Sequence, residues 1–245
     1  MPTDVRCLME TDDAHALVRL VGSLDPAASA SVRRTLLTCL ADQAGAIVVD
    51  VSELRFADPA VLETFTDLDR EIADWPNGQL LRYLTAMRSA AAWRAAGIAV
   101  SDSLTAVHAH LDPATAGRQL RIDLEPVVGA ARRARELVTD GCARWDLPQL
   151  VGSACITVTE MVNNVVAHAG TPMIVRVGAR DGALRVSVRD WNTRAPAFVG
   201  LVPATSAGGR GLLLIDTTAR RWGTSRLDDG KVVWAILYPE DEPVD

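Results

Sequence analysis

Between Leu111 and Pro126 the chain reads LDPATAGRQLRIDLEP, and there its apolar patterning stops and then restarts. Pro113 and Gly117 stand among small residues, a composition that ends regular structure and makes a connection. We place a linker near residues 112–118 and expect two domains, residues 1–112 and 119–240. A domain usually takes about 100–200 residues, so 245 residues are enough for two. With 49% of them hydrophobic, a sizeable core is within reach.

The first half alternates strand and helix. HALVRLVG (15–22), AIVVDVS (46–52) and QLLRYLT (79–85) have the β-branched or alternating character of strands. DPAASASVRRTLLTCLADQ (25–43) is an amphipathic helix with Asp25 as N-cap and Pro26 in the first turn. FADPAVLETFTDLDREIADW (56–75) again opens a helix on Asp-Pro, and SAAAWRAAG (89–97) and DSLTAVHAHL (102–111) supply two more. Strands and helices in turn with short loops make a layered α/β domain.

The second half has a different order. LRIDL is a strand, and VVGAARRARELVTDGCARW and LPQLVGSACITVTEMVNNVVAHAG are helices. MIVRVGARDGALRVSVRDW (173–191) is a β-hairpin around Asp181-Gly182. SAGGRGLLLIDTTARRWG is a glycine-rich loop running into a helix, and a last hairpin turns near Asp229-Gly230.

In TVTEMVNNVVAHAG (157–170) a helical wheel puts Glu160, Asn164 and His168 on one stripe, while Val158, Met161, Val162, Val165 and Val166 take other faces. A carboxylate and an amide four residues apart often do no more than bond each other on a surface. Glycines before a helix bare backbone N–H groups that suit an anion, although most glycine clusters are only turns. A dinucleotide-binding reading of Gly209-Arg210-Gly211 fails: Leu214 replaces the third glycine and no strand precedes.

The order of these motifs carries more than any one of them. VVDVSELRFADPAVLETF and GIAVSDSLTAVHAHL resemble the central strand–loop–helix and the closing strand and helix of the STAS domain, the anti-sigma-factor-antagonist fold. That family's phosphorylatable loop reads Asp-Ser-Ser/Thr-Gly; here it is Asp58-Pro59-Ala60-Val61, with no acceptor hydroxyl. TEMVNNVVAHAG, GGRGLLLIDTTARRWG and GKVVWAIL resemble the GHKL ATP-binding fold, in its anti-sigma-factor serine/threonine kinase branch, over about residues 119–238. The expected architecture is α/β throughout: a STAS-like layered domain followed by a GHKL sandwich.

The resemblance implies ATP and Mg²⁺ as cofactors. Asn164 would hold the metal through its side-chain oxygen, and Glu160 would be the catalytic base. Asp190 would accept the adenine amino proton, and Gly209, Arg210 and Gly211 would close on the phosphates. His168 lines the edge or is structural, Trp191 stacks on the base or plugs the core, and Asn163 has no role. The family's Asp-x-Gly-x-Gly box is here Asp190-Trp191-Asn192-Thr193-Arg194, without its glycines.

Two functions stay open. One is a protein serine/threonine kinase acting on a separate STAS-type antagonist and binding a sigma factor, as a homodimer. The other is a non-catalytic module whose degenerate STAS half is a docking or dimerisation surface. A net charge of −6 argues against direct nucleic-acid contact. The short basic runs at Arg132, Arg133 and Arg135 and at Arg220-Arg221 read as solvated helix faces. Cys7, Cys39, Cys142 and Cys155, with the scattered histidines His15, His108, His110 and His168, form no zinc pattern. The acidic N-terminus MPTDVRCLMETDD does not read as a leader, and no apolar run suggests a span, so a cytoplasmic protein without a membrane partner is expected.

Overall fold

The computed structural model describes residues 5–11, 16–43, 45–85, 87–110, 118–194 and 210–239; linker residues 112–117 and Gly209 lie outside them. The chain divides into two compact units, Met1–Ala73 with Asn77–Ala116, and Asp74–Pro76 with Gly117–Asp245. Both are mixed α/β.

The first unit holds a four-stranded sheet in the order β1 (Arg6–Thr11), β2 (Ala16–Ser23), β3 (Ile47–Arg55), β4 (Leu80–Tyr83). β1 runs antiparallel to β2, and β2, β3 and β4 are parallel. Residues 47–51 of β3 are all buried, as the centre of a parallel sheet covered by helices requires. α1 (Pro26–Asp42) joins β2 to β3, a 3₁₀ turn (Pro59–Leu62) and α2 (Glu63–Ile72) join β3 to β4, and α3 (Met87–Ala95) and α4 (Leu104–His110) follow β4. The two Asp-Pro starts behave as their chemistry dictates. Asp25 accepts the Ala28 N–H at 2.8 Å and Asp58 accepts the Ala60 N–H at 2.9 Å. Val18, Leu20, Leu36, Leu40, Val49 and Phe65 are sealed in the core, and Trp93 tilts against Phe65 with ring centroids 5.0 Å apart.

Two segments depart from expectation. β1 was hidden because Leu8 and Met9 both stay exposed on an edge strand, so no buried face shows in its pattern. The closing strand implied by GIAV reduces to one parallel bridge, Ser101 with Tyr83. Ser101 exchanges two backbone bonds with the end of β4, and Ser103 then caps α4 through the Ala106 N–H. The capped helix ends the pairing before a strand forms.

The second unit is an antiparallel sheet in the order β5 (Gln119–Leu124), β6 (Met173–Arg180), β7 (Ala183–Asp190), β9 (Lys231–Leu237), β8 (Arg221–Arg226). Asp181 and Gly182, both at positive φ (54° and 73°), make the tight turn between β6 and β7. α5 (Ala130–Arg144), α6 (Val151–Asn164) and α7 (Arg210–Thr218) pack with the sheet around one core. Val158, Met161, Val162 and Val165 meet Val175, Val177, Val186 and Val188 there. Each such side chain contributes about 1.5–3 kcal/mol by leaving water.

Pro148–Ala169, 22 residues, is long and apolar enough to cross a bilayer by length and composition alone, and its apolar face fills the core just described.

Candidate functional site

The polar stripe of α6 keeps its α-helical register only as far as Asn164. Val165–Ala169 forms a π turn, closed by Gly170 in the left-handed region (φ 63°, ψ 24°) with its N–H on the Val165 carbonyl at 2.8 Å. Such π turns insert a wider step and recur at functional sites. His168 therefore leaves the regular stripe. It is exposed, and its carbonyl accepts from the Asn192 side chain at 3.4 Å.

Glu160 and Asn164, both half-buried, meet the start of α7. A methyl group placed on Gly211 would stand 2.6 Å from Glu160 Oε2 and 3.5 Å from Asn164 Oδ1. A β-carbon at residue 211 would crowd the Glu160 carboxylate, while Asn164 Oδ1 stands at ordinary contact distance, so glycine lets this helix start approach Glu160 without displacing it. At its other end α7 is tied to α6 by the hydroxyls of Thr157 and Thr218, 2.9 Å apart. Gly211 and the pair Glu160 and Asn164, 47 residues or more apart in sequence, thus become neighbours. Gly209 lies outside the described residues, and Arg210 begins α7.

Asp190 ends β7 and is buried. Its Oδ1 accepts from Lys231 Nζ at 2.9 Å and from the Asn192 N–H at 2.8 Å, and Lys231 also donates to the Asn192 carbonyl at 2.9 Å. Asn192 in turn accepts the Arg194 N–H at 3.0 Å, and Thr171 accepts the Trp191 N–H at 3.2 Å. Two successive side-chain turns thus order the stretch that elsewhere carries glycines. Trp191 does not plug the core. It is 37% exposed and lies 4.0 Å from the Arg189 guanidinium, which stacks on its ring. Gly230 is the tight point of this region: a methyl there would overlap the Asp190 carbonyl and come within 2.6 Å of Arg189 Nη1. Sequence reasoning gave Lys231 no role, and its cross-strand register with Asp190 shows one.

Magnesium takes hard oxygen donors and keeps several waters. The donors beside Gly211 are an amide oxygen and a carboxylate. Among the described residues no group of three or more His, Cys, Asp or Glu converges on one point. That set fits an ion carried in on a nucleotide's phosphates and does not form an all-protein cage.

In the first unit, Asp58-Pro59-Ala60 stands at the start of the 3₁₀ turn, beside a shallow cleft of about 480 Å³ that Ala60, Glu63, Thr66 and Ala92 help to line. The Asp58 carboxylate is already engaged by the Ala60 N–H, and no hydroxyl stands at residue 60. Deeper in the sheet is a separate polar cluster around Asp50. It accepts from the Tyr83 hydroxyl at 2.9 Å, Arg19 Nε at 3.1 Å and the Ser52 N–H at 2.9 Å. Burial alone would raise the Asp50 carboxyl, but these bonds outweigh it and hold the group below its ordinary value. Burial and the Asp50 partner push the Tyr83 phenol up to about 12. Burial also pushes the Cys39 and Cys142 thiols up to about 11, so neither is an activated nucleophile.

Comparison with known proteins follows the same division. Residues 124–237 match the model of the histidine kinase-like ATPase domain, and residues 7–75 match that of the Mlab, STAS domain. An uncharacterized protein of Streptomyces coelicolor is 38% identical over 89 residues, covering 35% of this chain and 83% of that protein. Among solved structures, an anti-sigma factor antagonist from Mycobacterium paratuberculosis aligns at 14% identity and a TM-score of 0.39, over 45% of this chain and 97% of its own. The RsbU and RsbW domains of a Mycobacterium tuberculosis protein align at 18% identity and a TM-score of 0.37, over 49% of this chain and 32% of theirs.

Proposed function

We propose a function that starts from what the chain is: it belongs to the proteins that join a STAS domain to a histidine kinase-like ATPase domain. In this reading residues 1–112 and 119–240 are the two domains. The second binds Mg²⁺·ATP and passes the γ-phosphoryl group to a serine or threonine hydroxyl of a separate STAS-type antagonist. The observation that supports it is the convergence of Glu160 and Asn164 on the side-chain-free start of α7 at Gly211.

The Asn164 side-chain oxygen would hold Mg²⁺ together with phosphate oxygens and water. Bound Mg²⁺·ATP supplies the transferable phosphoryl group and neutralises its charge; the remaining work is positioning by the chain. Glu160, one turn before Asn164, accepts the proton of the attacking hydroxyl, for which it must lie within hydrogen-bond reach. The start of α7 offers backbone N–H groups to the phosphates. Asp190 accepts the adenine amine.

The first domain has no hydroxyl at Ala60 and takes no phosphate there. It serves as a fixed docking or dimerisation surface in a homodimeric, partner-switching regulator that also binds a sigma factor. We place it in the cytoplasm, where its four free cysteines stay reduced.

The test is transfer of labelled phosphate from ATP to antagonists carrying the Asp-Ser-Ser/Thr-Gly loop. The full chain should phosphorylate at least one of them, and Glu160→Gln should lose about 10²-fold or more in rate. A chain that binds ATP yet labels none is the docking module of the second reading.

A further inference from the structure

We propose that Lys231 makes the site selective for a 6-aminopurine, by fixing which oxygen of Asp190 faces the base. This rests on the ATP-binding reading above and adds to it a residue whose task is orientation.

Asp190 and Lys231 are direct partners across the antiparallel strands β7 and β9, so their side chains leave the same face of the sheet. That is the face of Met173, Val188 and Val233, which α6 covers. Their side chains are 2% and 9% exposed. A charge so deep is costly unless it is paired and hydrogen-bonded. Here Lys231 Nζ donates to Asp190 Oδ1 and to the Asn192 carbonyl, while the Asn192 N–H returns to Asp190 Oδ1. The three bonds close a ring that sets the rotation of the carboxyl group.

Both donors fall on Oδ1, and Oδ2 takes neither of these bonds. Oδ2 is the oxygen the ring leaves for a ligand. A carboxylate oxygen only accepts, so its partner must be a donor. The exocyclic amine of a 6-aminopurine satisfies it; the carbonyl of a 6-oxopurine meets it acceptor to acceptor. Arg189, the neighbouring cation, donates to the Asp190 carbonyl and to Asp229.

The experiment is calorimetric titration of the full chain, in magnesium, with ATP, with purine riboside triphosphate, which has no 6-substituent, and with inosine triphosphate. Wild type should bind ATP about 10- to 100-fold more tightly than purine riboside triphosphate, the span of one hydrogen bond to a charged group. Lys231→Met should remove most of that difference by weakening ATP alone. Equal weakening of ATP and the amine-free analogue would make Lys231 a support of the fold and overturn the proposal.

Lys231→Met leaves a buried carboxylate without its cation, so Asp190→Asn supplies a test with Lys231 in place. Lys231 Nζ and the Asn192 N–H can donate only to the amide's oxygen, which turns the amide NH₂ toward the base. Preference should then invert from ATP to inosine triphosphate; a retained preference for ATP refutes the orienting role. If wild type binds all three triphosphates alike, the nucleotide site stands and the role of Lys231 falls. If it binds none, both fall.

Discussion

Gly211→Ala puts the geometry of the site under direct strain. The added methyl would lie 2.6 Å from Glu160 Oε2, so the carboxylate must retreat to the 3.4 Å of ordinary contact, a withdrawal of about 0.8 Å. The atom displaced is the free end of a flexible side chain, so the fold has a way to yield. Overpacking costs about 1–3 kcal/mol, and replacing glycine within a helix returns roughly 0.5–1 kcal/mol. The net is a loss of about 1 kcal/mol, or roughly 2–4 °C in Tm. Activity should suffer far more, because a misplacement of about 1 Å in a reacting group can cost on the order of 10²-fold. We expect phosphoryl transfer to fall roughly 10- to 100-fold, with the Kd for Mg²⁺·ATP changed by less than about threefold. Gly152→Ala is the matched control: Gly152 is also the second residue of its helix, and a methyl there meets nothing within 4 Å. It should leave transfer unchanged and stabilise by up to about 1 kcal/mol. If the two variants show the same rates, the close approach of α7 to Glu160 does not shape the site.

Two further outcomes concern the scaffold. Asp50→Asn should destabilise the chain by about 1–3 kcal/mol at pH 7, because a buried acceptor of three bonds loses its charge. The folded Asp50 carboxyl titrates below its ordinary value, so its stabilisation is complete above about pH 4 and is lost as pH falls through the folded value. Urea midpoints of wild type and Asp50→Asn should therefore converge on acidification; a gap that widens as pH falls contradicts this sign. Gly230→Ala drives a methyl into the Asp190 carbonyl, which is backbone and cannot swing away. It should cost about 3 kcal/mol or more and lower Tm by roughly 10 °C; a Tm within about 2 °C of wild type would show that this turn is free to move.

What could be read from the sequence was whatever local chemistry decides. The Asp-Pro helix starts and the Asp181-Gly182 turn stand where their residue types require, because a cap or a tight turn needs only near neighbours. Glu160 and Asn164 were visible as one helical stripe for the same reason. The break in that helix after Asn164 was not, since a π turn is set by how Val165 and Gly170 close against the fold. Lys231 was hidden because its partner lies 41 residues away, and only the strand register joins them. The edge strand Arg6–Thr11 escaped because pairing with β2 makes it a strand while its apolar residues stay in solvent.

In the proposed function a nucleotide is held beside Asn164. The direct measurement is the thermal midpoint of the full chain as Mg²⁺·ATP is raised to millimolar levels. A ligand that binds the native state stabilises it by about 2.7 kcal/mol at a hundred times its Kd. We expect the midpoint of wild type to climb steadily with concentration and that of Asn164→Ala to stay where it is without nucleotide. A flat wild-type curve, or an equal rise in both proteins, would contradict the site placed here.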